Sequence, residues 1–223
     1  MGFKSETLKA RCDLPGSHAK TWELDLTRNQ RAALGLNLAA IPLFVMFGWV
    51  FVQFASSLRP EIVSRIFFAR ISPHPIVFFL IFLVVVVGTM FIHEAIHGLF
   101  FWIYTRSKPI FGLKLLFAYA GAPDWYIPRN QYAIIGLAPF ILITIAGFLV
   151  IFLTPSSVGQ LALVAVTMNA SGAVGDLYVS ARVLYQPRDV LIRDTGVGFT
   201  MFSAVDAVVE AKERHEKGVP NHE

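Results

Sequence analysis

The sequence predicts an all-α membrane protein: a bundle of about four transmembrane helices, with a short β-hairpin or re-entrant loop between the second and third. Three observations predict it. First, charged residues make up only 15% of the 223 residues, hydrophobic ones make up 55%, and the mean hydropathy is +0.59. A soluble globular domain carries about 25% charge. Second, four apolar runs are long enough to cross a hydrocarbon core about 30 Å thick, which takes roughly 20 helical residues. Third, Lys and Arg are distributed unevenly between the segments that connect those runs.

The runs cover about 33–55, 76–104, 132–153 and 158–184. Pro42 and Pro139 fall inside the first and third and are expected to kink them, leaving a carbonyl for a neighbour or water to satisfy. The 20 Phe residues suit helices that face lipid. Six Lys and Arg precede the first run, four lie between the second and third, and six lie from Arg182 onward. The 56–75 segment has three and the 154–157 turn none. By the positive-inside rule both termini are cytoplasmic in a multi-pass protein of the cell membrane. The expected division is a cytoplasmic tail over 1–31, a transmembrane domain over 32–185 and a cytoplasmic tail over 186–223.

The first 30 residues are polar and of mixed charge, unlike a secretory signal peptide. Cys12, the single cysteine, has no partner for an intramolecular disulfide. A net charge of +4 and a pI near 9.3 are explained by the cytoplasmic Lys and Arg, so no nucleic-acid partner is inferred. Thr27 is expected to cap the helix that enters the first run, and Ser203 with Asp206 to open a helix reaching about Lys217. Val190–Ile192 reads as a short strand. The 109–131 segment, "PIFGLKLLFAYAGAPDWYIPRNQ", alternates weakly and turns at "GAPD". It reads either as a hairpin able to offer an edge to an extended substrate, or as an interfacial loop anchored by Trp125 and Tyr126.

The chemistry is concentrated in "HEAIH", residues 93–97. An H-E-x-x-H pattern on a helix puts His93 and His97 on one face, where they can share a metal ion. Glu94, beside them, is placed to act as general base toward a water. A lone histidine would read as a neutral core residue. This triplet does not, because Glu94 would then be a buried charge without a cation. Catalytic zinc commonly takes three protein ligands. Asp176 is the only acidic residue in any run besides Glu94. Counted from the expected outer boundary, His93 and Asp176 lie at similar depth, about 26 Å along their helices. Asp176 is therefore the expected third ligand, against a simple pairing with Arg182. Asn169, two turns before Asp176, lines the active site or makes an interhelical hydrogen bond. Gly172 and Gly175 allow close approach of a helix or a substrate, and this small-residue face permits dimers without requiring them. Histidines 18, 74, 215 and 222 read as solvated.

"HEAIHGLFF", "FGLKLLFAYAGAP", "IIGLAPFI" and "NASGAVGD" resemble the zincin-peptidase membrane family related to site-2 proteases, over roughly residues 90–180. The resemblance implies Zn2+, with His93, His97 and Asp176 as ligands and Glu94 as catalytic base. It also implies an intramembrane protease acting on a membrane protein or peptide substrate in the lipid bilayer. Site-2 proteases carry their distal aspartate in an Asn-Pro-x-x-Asp-Gly type motif, whereas here there is no proline and Leu177 follows Asp176. The competing expectation from the residues is a non-catalytic membrane protein with a structural or regulatory metal site, marked by four closed protein ligands. A metal or proton transporter is disfavoured, since no second layer of intramembrane carboxylates or histidines forms a pathway.

Overall fold

The computed structural model of the protein describes residues 9–63, 74–114 and 117–205. In chain order the elements are β1 (His18–Asp25), α1 (Gln30–Leu58), α2 (Pro60–Val63), α3 (Pro75–Thr105), β2 (Ile110–Lys114), β3 (Phe117–Pro128), α4 (Arg129–Leu153), α5 (Ser156–Gly172), α6 (Val174–Leu184), β4 (Leu191–Asp194) and β5 (Gly198–Ala204). The fold is mostly helical, but the all-α expectation is wrong. An antiparallel sheet of five strands runs in the order β1-β5-β4-β3-β2. It draws on the N-terminal segment, the 109–131 segment and the C-terminal segment together.

Helices α1, α3 and α4 are long and apolar enough to cross a membrane. The fourth run is not one straight helix. α5 and α6 meet at Ala173 with a bend of 48°. The consequence is local: Asp176 falls in the first turn of α6, where free backbone N–H groups favour a carboxylate.

Caps explain where the long helices begin and end. The side chain of Asn29, not Thr27, accepts from the Ala32 N–H at 3.0 Å and caps α1. Thr27 is engaged instead with Asp25 Oδ1, to which it donates from both its hydroxyl (2.6 Å) and its backbone N–H (2.8 Å). The hydroxyl hydrogen bond, foremost, holds the Asp25 carboxyl below its usual pKa. Pro75 opens α3, where its missing N–H costs nothing. Arg106 ends α3 in the left-handed region at φ 58°. At the opposite end of the bundle, the Arg59 guanidinium donates to the carbonyls of Ile151 (2.9 Å) and Thr154 (2.7 Å), complementing the C-terminus of α4.

Two cores result. Phe51, Ala55, Ile62, Ile151, Leu163, Val166 and Ala170 join α1, α2, α4 and α5. Part of the phenylalanine content is spent here rather than on lipid: Phe51 and Phe54 of α1 meet Phe148 of α4 edge-on at 5.3 and 4.9 Å. The second core, with Leu24, Phe101, Ile127, Tyr132, Ile135, Val183, Ile192, Phe199 and Met201, binds the sheet to α3, α4 and α6. Leu34, Ile41, Val45 and Trp49 of α1 and Ile76 and Val84 of α3 stay exposed, as a lipid-facing surface requires.

The expected hairpin over 109–131 is present as β2–β3, paired from Ile110↔Gly121 to Lys114↔Phe117. β2 lies against α3 where Gly98 makes room: a Cβ there would come 2.2 Å from the Phe111 ring. β4 contains the expected strand residue Ile192 but extends to Asp194. Ser203 belongs to β5, and helix begins two residues later at Val205, the last described residue. Asp206, Lys217, His215 and His222 lie outside the described residues. His18 is not simply solvated, since its Nε2 reaches the Asp189 carbonyl at 3.1 Å.

Candidate metal centre

α3 presents His93 and His97 one helical turn apart, and the sequence around them fixes both rings. Pro139 in α4 has no N–H, so the carbonyl four residues earlier, on Ile135, lacks its helical partner. His97 Nδ1 donates to that carbonyl at 3.0 Å. On His93, Nδ1 donates to Asn169 Oδ1 at 2.9 Å. The amide of Asn169 is oriented in turn, because its Nδ2 donates to the Pro139 carbonyl at 3.4 Å. With both Nδ1 atoms acting as donors, each Nε2 presents a lone pair.

The two lone pairs converge. The Nε2 atoms are 3.1 Å apart. Asp176 closes the triangle, with Oδ2 2.9 Å from His93 Nε2 and Oδ1 3.5 Å from His97 Nε2. Two imidazole lone pairs and a carboxylate facing one another repel unless a cation or protons lie between them. Bonds of 2.0–2.2 Å from a tetrahedral zinc ion place its ligand atoms about 3.3–3.6 Å apart. The 3.5 Å spacing between His97 and Asp176 falls in that range, and the two spacings from His93, 2.9 and 3.1 Å, lie just below it. Among the described residues, His93, His97 and Asp176 form a group able to hold a metal ion.

Glu94 sits one residue beyond His93 and faces the same cavity, of about 400 Å³. Ala120 of β3 lines the cavity with it. Strands therefore reach the site directly: Ala118, Tyr119 and Ala120 of the hairpin line the cavity, as do Leu24 of β1 and Phe199 of β5. Asn169 and Asp176 line it from α5 and α6. The candidate site residues His93, Glu94, His97, Asn169 and Asp176 thus line one cavity. Arg182, the alternative partner for Asp176, lies elsewhere, with its guanidinium 4.4 Å from the centroid of the Trp22 ring.

The structure adds residues that the sequence reading missed. Tyr132 donates from its hydroxyl to Asp194 Oδ2 at 2.5 Å, and Gly196 N–H donates to Asp194 Oδ1 at 2.6 Å. Both side chains line the cavity. Burial pushes the Asp194 carboxyl above its usual pKa, against the pull of the Tyr132 hydroxyl and the Gly196 N–H. Its only signal was the turn sequence "RDTG", in which Gly196 adopts φ 79°. Asn37 of α1 also lines the cavity. As an amide inside an apolar run, it carried the same signal that singled out Asn169.

No curated protein and no solved structure matches the chain. Residues 86–191, just under half of the chain and the segment that holds His93, Glu94, His97, Asn169 and Asp176, match a family model described as "Putative zincin peptidase", and over that segment the chain is similar to a zincin-like family.

Proposed function

We propose that the protein is a zinc-dependent peptidase of the site-2-protease-like type. It hydrolyses a peptide bond in or near a membrane-spanning segment of a protein or peptide substrate. The observation that carries this reading is the convergence of His93 Nε2, His97 Nε2 and the Asp176 carboxylate in a cavity that also holds Glu94. The match to a zincin-like family supports the zinc and the peptidase chemistry. Three apolar helices and a bent pair support the membrane setting.

His93, His97 and Asp176 would hold the ion. A bound zinc ion supplies Lewis acidity toward the scissile carbonyl and lowers the pKa of a water. Glu94 accepts a proton from the attacking water and returns it to the leaving amine. Asn169 and the Ile135 carbonyl hold the two imidazoles in the tautomer that leaves Nε2 free. Among the described residues β2 is an edge strand, and its outer edge could pair with an extended substrate. A structural metal site would be closed by a fourth protein ligand. Three ligands beside an open cavity support the catalytic alternative.

Metal analysis of purified protein tests the reading. Wild type should carry zinc near one equivalent, and His93→Ala and Asp176→Ala should lose it. Glu94→Gln should keep the zinc and lose peptide hydrolysis by a factor of at least about 10². Undiminished zinc in Asp176→Ala removes α6 from the site. Wild-type turnover in Glu94→Gln removes the general base.

A further inference from the structure

The cavity has a wall that the reaction described above leaves unused. Leu36 and Asn37 of α1 line it on one side, and Val86, Met90 and His93, along one face of α3, line it on another. Asn37 lies seven residues past the start of α1, about 10 Å along its axis. Leu34, Leu38 and Ile41 around it are exposed apolar groups. The Asn37 side chain is exposed and has no hydrogen-bond partner among the described residues. At this depth an amide without a partner is costly in hydrocarbon, and its place on the cavity wall gives it somewhere to turn.

A substrate backbone in this cavity raises the complementary problem. A helical segment shields its carbonyls, so the scissile region must be extended to expose one to attack. Extension frees backbone N–H and C=O groups in mostly apolar surroundings, where leaving them unmade is unfavourable. An Asn side chain offers one acceptor and two donors, enough to satisfy both the N–H and the C=O of a single peptide unit. We propose that Asn37 binds the substrate main chain, clamping one peptide unit of the extended segment on the α1 wall while the scissile bond lies at the α3 wall. The proposal rests on the peptidase reading and adds to it the form in which the substrate is held: an unwound, extended backbone recognised independently of its side chains.

Two probes separate the clamp from the metal centre in the zinc-loaded, detergent-solubilised full chain. Acetohydroxamate reaches only the metal. A Leu-Ala-Leu peptide hydroxamate adds a backbone. Wild type should bind the peptide hydroxamate more tightly than acetohydroxamate. Asn37→Leu, which removes the amide and suits the apolar helix, should weaken the peptide probe about tenfold and leave acetohydroxamate at wild-type strength. Asn37→Asp, which keeps the acceptor and loses the donors, should fall between the two. If Asn37→Leu binds both probes as wild type does, the clamp is refuted and the peptidase reading stands. If it weakens both probes equally, Asn37 supports the fold rather than the substrate, and the clamp is again refuted. If wild type fails to bind acetohydroxamate, the metal reading falls and the clamp falls with it.

Discussion

A histidine offered to a metal is oriented by the hydrogen bond that its other nitrogen makes, and Asn169 provides that bond for His93. The Nδ1–H···Oδ1 contact at 2.9 Å fixes both the tautomer and the ring plane, and the Pro139 carbonyl fixes Asn169. Asn169→Ala should therefore keep the fold and weaken zinc binding by about 10- to 100-fold, measured by competition with a chromophoric chelator. Unchanged zinc affinity in that variant would make Asn169 an ordinary interhelical contact. The sequence offered these two roles as equals, because spacing places a side chain on a face and does not say which atom it meets. His93, Glu94, His97 and Asp176 were legible for a stronger reason: ionisable groups are scarce in apolar runs and need a partner. Asp194 was not legible, since it lies in a polar C-terminal stretch where an aspartate is unremarkable, and only the sheet carries it to Tyr132.

The element that brings Asp176, the proposed third ligand, to the site is α6, and its seat on α4 is tight. A Cβ added at Gly136 would lie 2.3 Å from Ser180 Oγ, with the Asp176 carbonyl 3.9 Å away. Ser180 is buried and its hydroxyl has no hydrogen-bond partner among the described residues, so removing that oxygen breaks no bond there. Gly136→Ala should displace α6, cost about 1–3 kcal/mol of stability and lower zinc affinity. Adding Ser180→Ala removes the clashing oxygen and leaves the residue 180 Cβ at 3.7 Å and the Asp176 carbonyl at 3.9 Å, both ordinary contacts. The double variant should recover most of both losses, read by thermal unfolding and zinc titration. No recovery would mean that the α4–α6 seat does not set the position of Asp176. The break that starts α6 at Ala173 was hidden in an unbroken apolar run, since hydropathy reports burial in lipid and not helix continuity. β1 and β5 were hidden for another reason. They pair with each other across some 180 residues, and strand pairing of that range leaves no local period to read, although β5 also pairs with its chain neighbour β4.

Across the whole molecule, connectivity gathers the sheet at one end of the bundle. β1 leads into α1, β2 and β3 join α3 to α4, and β4 and β5 follow α6. Arg59 and its carbonyl partners at the C-terminus of α4 mark the other end. In the sequence, 16 of the 19 Lys and Arg residues precede the apolar run of α1, lie between α3 and α4 or follow from Arg182 onward, and three lie in 56–75. That imbalance argues for a cytoplasmic sheet and a cavity entered from the cytoplasmic side. Cys12 gives a direct test, because it is the only cysteine, it is exposed, and its neighbour Arg11 is pinned to β3 by two backbone hydrogen bonds with Tyr126. A membrane-impermeant maleimide should label Cys12 in sealed inside-out vesicles and leave it unlabelled in right-side-out ones. In a Cys12→Ser background, a cysteine placed at exposed Ser57, in the last turn of α1, should show the reverse. Labelling of Cys12 from the outside would invert the bundle. Glu94 and the three proposed ligands would then face the opposite aqueous phase, and the proposed cleavage would have to occur near the outer leaflet.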